Sequence, residues 1–186
     1  MKIFDDEFLH QDNNILLNII RNHPLNPKLP ENIEFIIIKE IVVNPNKSQS
    51  ENIQFDQHNK MVTLNIFRDS PKNPRFEFIL YHEFGHIADR INQHFGYSEE
   101  KNEALAKKEK YYVMELWNLY IDSRLNKFGL GGIKPLGWGR MKHSQDIIKK
   151  IWENPDYILS YDDLIMIVRE NITNDYVLLK PLHILS

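Results

Sequence analysis

One stretch constrains this chain more than any other: Phe78-Ile-Leu-Tyr-His-Glu-Phe-Gly-His-Ile-Ala-Asp89. Turned at about 100° per residue, its neighbourhood sorts into two sides. Phe76, Leu80, Phe84, Ile87, Ile91 and Phe95 share one stripe, as a core-packing face should. His82, His86, Asp89 and Gln93 fall opposite, with Glu83 at the border. The spacing therefore predicts a helix from Pro74 to about Phe95, stopping near Gly96, with Asn73 and Pro74 as cap and first-turn pair. It packs by one face and presents its histidines from the other.

Residues four apart on a helix lie one turn above each other. His82 and His86 can therefore place two imidazole nitrogens on one metal ion, and Glu83 can reach a water held there. Zinc chemistry needs this combination: two neutral nitrogen ligands, a third protein ligand, an open position, and a carboxylate to take a proton. The spacing alone is weak, since with 8 His and 14 Glu chance gives H-E-x-x-H in roughly one such chain in forty. The bland alternative is two surface histidines on an ordinary amphipathic helix. The core stripe opposite the histidines favours the metal.

With His82-Glu83-Phe84-Gly85-His86 the sequence resembles the zincin metallopeptidases. The resemblance implies zinc on His82 and His86, Glu83 as general base, and a small sheet supporting the helix. It also implies an edge strand that pairs with an extended peptide substrate. The metzincin subgroup does not fit, because it needs His at 92 and Gly at 89, where this chain has Asn92 and Asp89.

Composition narrows the rest. A net charge of −3 gives no reason to expect a nucleic-acid partner. The absence of cysteine excludes disulfides and thiolate metal sites. No apolar run approaches the ~18 residues of a membrane span, and Met1-Lys-Ile-Phe-Asp-Asp-Glu7 lacks a signal-peptide core. The expectation is one cytoplasmic zincin-like domain over 1–186, of α+β class with a small, mainly antiparallel sheet, acting on a peptide or protein.

Phe4 to Asn22 has helical spacing, ended by three prolines between His23 and Pro30. His10 and His23 read as surface residues. Ile33 to Val43 is β-branched and predicts a buried strand. Asn44 to Asn52 reads as a loop, and Ile53-Gln-Phe55 and Met61 to Phe67 flank a hairpin turn.

Ser98-Glu-Glu opens a second helical region, expected to run, with a break, to Phe128 and Gly129. Around Asp122, the residues Glu115, Asn118 and Asn126 form one polar line on a helix that is otherwise apolar. Such a helix is buried, so its polar line must be satisfied, by a metal or by a hydrogen-bond network between helices. Trp117-Asn-Leu-Tyr-Ile-Asp122 is similar to the Trp-Asn-x-x-x-Asp stretch of predicted metallopeptidases found with von Willebrand A-like domains. There the Asp follows H-E-x-x-H on a later helix, which implies Asp122 as third zinc ligand; Asn118 and Asn126, one turn either side of it, and Glu115 on the same line then read as outer partners. Glu115 and then Glu103, whose Glu-Ala segment is similar to that of other zincins, rank behind it as ligands.

Five of the seven glycines lie between Gly129 and Arg140, a stretch that serves either as a lid, with Trp138 or Arg140 on substrate, or as a connector. Ser144 to Trp152 and Tyr161 to Asn171 predict two further helices, and Tyr176 to Leu179 a strand or docked tail. His143, Tyr111, Tyr112 and Tyr120 are equal candidates for stabilising an oxyanion. The expected activity is zinc-dependent peptide hydrolysis. The alternative is a silent metal-binding or interaction domain, which would not need Glu83.

Overall fold

The computed structural model describes residues 1–5, 13–41, 51–130 and 145–172. His10, Trp138, Arg140, His143 and the segment Tyr176 to Leu179 lie outside them. The fold is α+β, with a four-stranded mixed sheet and six α-helices among the described residues. None of the described helices is long and apolar enough to cross a membrane. The chain divides into two compact units, Met1–Ile91 and Asn92–Ser186.

The first unit holds the sheet. Strands β1 (Lys2–Asp5), β2 (Phe35–Glu40), β3 (Asn52–Asp56) and β4 (Met61–Ile66) lie in the order β1-β2-β4-β3. β1 pairs with β2 and β2 with β4 in parallel; only β3 and β4 are antiparallel. This corrects the mainly antiparallel sheet expected from the sequence. Helix α1 (Asn13–Arg21) lies between β1 and β2 in the chain, and such a crossover lets the two strands run the same way. The hairpin is where its turn residues put it, with Asn59 N–H donating to Asp56 Oδ1 at 3.0 Å.

Phe4 also departs from expectation. Its apolar spacing suggested a helix, but it sits on the edge strand β1 and stacks on Phe35, with ring centroids 6.3 Å apart. A four-residue strand is too short to show its own period in the sequence.

Alternation decides which face of the sheet is dry. Ile36 and Ile38 on β2 and Val62, Leu64 and Ile66 on β4 are buried, as are Leu16, Ile19 and Ile20 of α1. Helix α2 (Phe76–Arg90) adds Phe76, Leu80, Phe84 and Ile87, four members of its predicted core stripe. It is shorter than expected: Ile91 is half-buried and Phe95 lies beyond its end. Asn73, expected as the cap, lies two residues before the N-cap Arg75, its Oδ1 accepting from Arg75 N–H at 2.9 Å.

The second unit is helical: α3 (Glu99–Glu103), α4 (Lys107–Lys127), α5 (Gln145–Glu153) and α6 (Tyr161–Ile172). Ser98 caps α3 by accepting from Lys101 N–H at 3.1 Å, and the expected break falls before α4. Gly129 ends that helix with a φ of +73°, a left-handed conformation that glycine adopts without steric cost. α4 packs on α5 and α6. Trp117 and Tyr161, both fully buried, anchor an aromatic cluster with Phe95, whose ring lies 5.0 Å from that of Trp117. Ser160 and Asp163 cap α6 reciprocally: Ser160 N–H donates to Asp163 Oδ2 at 2.8 Å, and Asp163 N–H to Ser160 Oγ at 3.1 Å.

Candidate metal centre

Helix α2 positions His82, Glu83 and His86. The two imidazoles stand edge to face, with ring centroids 5.1 Å apart and planes at 74°. That separation can be tested against a shared ion. With Zn–N near 2.0–2.1 Å, each ring centre stands roughly 3.2 Å from the metal, so a tetrahedral pair is about 5.2 Å apart. The observed ring separation matches that of such a pair. Phe78, one turn earlier, supports His82 with its ring centre 6.2 Å away.

The histidine face is not an ordinary solvated surface. His86 is 8% exposed and Asp89 only 2%, while His82 and Glu83 are half-buried. Nδ1 of His86 is shut away from solvent. Burial also acts on Glu83, lifting its carboxyl to about 6, and the negative charge of Glu51 pushes the same way. His82, the Ile53 backbone N–H and Arg90 oppose the rise. A carboxylate in that range is mostly ionised near neutrality yet basic enough to accept a proton.

Three neighbours were not visible in the sequence as parts of this site. Glu51, read as a loop residue, is fixed by Ser70, whose hydroxyl donates to Glu51 Oε1 at 2.6 Å. Ile53 stands on β3, an outer strand of the sheet packed beside α2, and its N–H faces Glu83. His23, expected at the surface, is instead 2% exposed; its Nε2 donates to the Tyr81 carbonyl at 2.9 Å. The only available signal was Pro24 after it, which marked a turn without showing what the turn meets.

The other candidates belong to the second unit. On α4, Asp122 is buried at 6% exposure, Glu115 and Asn118 are half-buried, and Asn126 is exposed. Glu103 is exposed on α3. Tyr120 has structural work, since its hydroxyl oxygen accepts from Leu159 N–H at 3.1 Å and its ring stacks on Phe95. Tyr112 is buried and Tyr111 exposed, their rings in edge contact. Among the described residues, no three His, Asp or Glu side chains form a group that could hold a metal ion. The histidine pair is thus the part of the centre that the geometry brings together.

No protein-family model, no curated protein and no solved structure matches the chain.

Proposed function

We propose that the protein is a zinc-dependent hydrolase acting on peptide bonds, in a zincin-like arrangement. The observation that carries this is the His82–His86 ring pair at 5.1 Å, with a carboxyl of raised basicity on the residue between them. His82 and His86 would hold the zinc, with Asp122 as third ligand and Asn118, Asn126 and Glu115 as outer partners. When bound, zinc supplies a Lewis acid and a water of lowered pKa.

The chain's own residues supply the rest. Glu83 accepts a proton from the attacking water at its carboxylate and returns it to the leaving amine. Burial raises the basicity of that carboxylate, Glu51 adds to the rise, and the Ile53 N–H holds it back. β3 supplies the binding edge. Of the two outer strands of the sheet, it is the one packed beside α2, and an extended peptide added to it would run past Glu83. Elemental analysis tests the reading: we expect about one zinc per chain, lost in His82→Ala and His86→Ala. Protein from zinc-replete growth that carries no transition metal would defeat it.

A further inference from the structure

The segment His23-Pro-Leu-Asn26 is a turn closed by Asn26 N–H donating to the His23 carbonyl at 3.2 Å. Pro24 occupies its second position, where the fixed φ of proline suits a turn. Both ends of this turn reach helix α2. At one end, the buried His23 donates from Nε2 to the carbonyl of Tyr81, across 58 positions of chain. At the other, Asn26 Nδ2 donates to the carbonyl of Ala88 at 3.4 Å. The orientation of that amide is fixed, because Asn26 Oδ1 already accepts from Lys28 N–H at 2.9 Å.

The two carbonyls bracket the metal motif. Tyr81 directly precedes His82, and Ala88 follows His86 by two residues. They lie about 10 Å apart along the axis, and a carbonyl inside a helix has a second lone pair to offer an outside donor. The ring of His23 also lies against that of Tyr81, with centroids 5.7 Å apart. One turn therefore bonds to the helix just before and just after its candidate ligands.

We propose that this turn is a clamp for the histidine helix, with His23 as a positioning residue for metal binding; the inference rests on the metal reading above. Its purpose follows from helix geometry. A side-chain tip stands roughly 5–6 Å from the helix axis, so a rotation of about 10° moves it about 1 Å. Productive ligand placement tolerates only about 0.5 Å. Packing of Phe84 and Ile87 sets the buried face, while two directed bonds fix rotation and axial position.

The test is Co2+ titration of the full chain, with zinc affinity from chelator competition. His23→Leu removes the donor at similar volume; His23→Gln keeps a donor near the position of Nε2. We expect His23→Leu to bind ~10–100-fold more weakly, the range of outer partners that orient ligands, with a changed Co2+ absorption spectrum. His23→Gln should recover most of the affinity. Undiminished binding by folded His23→Leu, or equal loss in both variants, overturns the clamp. Should His23→Leu fail to fold, Asn26→Ala decides: several-fold weaker binding supports the clamp, and wild-type affinity overturns it. A wild-type chain that takes up no Co2+ removes the metal reading and the clamp together. Wild-type binding with unaffected variants removes the clamp alone.

Discussion

Helices α2 and α4 each set polar candidates against an apolar cylinder, but they do so on different terms. On α2 the two imidazoles are locked together by a four-residue interval, and the spacing of their rings already matches a shared ion. On α4 the line from Glu115 to Asn126 is graded, half-buried at its start, buried at Asp122 and open at its end. A pair within one helical turn carries its own geometry. The burial of a single carboxylate on a long helix does not by itself mark a ligand, since burial is shared by structural networks and ligands alike. The contrast explains why the proposed chemistry rests on α2, with α4 offering only a candidate partner for it.

The strongest way to break this contrast is at Glu83. Glu83→Gln should reduce peptide hydrolysis by the ~10²–10⁴-fold typical of a lost acid–base group while zinc content stays near wild type. Turnover at the wild-type rate in a peptidase assay would show that α2 binds without acting as we describe.

The next comparison sharpens α4. Asp122→Ala should weaken zinc binding beyond the ~100-fold limit of outer partners, Asn118→Ala should fall within ~10–100-fold, and Glu115→Ala should change it least. Chelator competition on the three variants ranks them. If Asp122→Ala binds as wild type does, the third ligand lies at Glu115 or Glu103.

A smaller effect separates the two helices without any activity assay. Glu83 holds its proton more tightly folded, at about 6, than at the ordinary carboxyl value of 4.5. The folded state then binds more protons than the unfolded one between those values, so stability falls as pH rises through that window. In metal-free protein the loss is complete above it and amounts to about 2 kcal/mol. Metal-free Glu83→Gln should therefore melt higher than wild type at pH 7.5, and the gap should close by pH 4. A pH-independent gap would place the cause elsewhere.

The smallest expected effect lies far from either polar line. Ser160→Ala removes one arm of the α6 cap and should cost about 1 kcal/mol, seen as a shift in the denaturant midpoint with zinc affinity unchanged. Since α4 packs on α6, a change in zinc affinity would mean that α4 is tuned through its neighbour.

Much of this was legible in the residues themselves. The core stripe of α2, the break between α3 and α4, the glycine that ends α4 and the capped start of α6 are local, set by residues within a turn or two. The H-E-x-x-H interval is local in the same sense, and the helix converts it into geometry with no outside help. What the sequence could not decide depends on who meets whom. β1 and β2 run parallel because the α1 crossover separates them, β2 and β4 because β3 reverses the chain between them, and hydrophobic alternation is blind to direction. His23 looked exposed because its partner is the Tyr81 carbonyl, and backbone atoms leave no mark in a sequence. Glu51 and Ile53 likewise become neighbours of Glu83 only once β3 lies beside α2. Covalent spacing determined the candidate ligands, and packing across the chain decided the charge and burial around them.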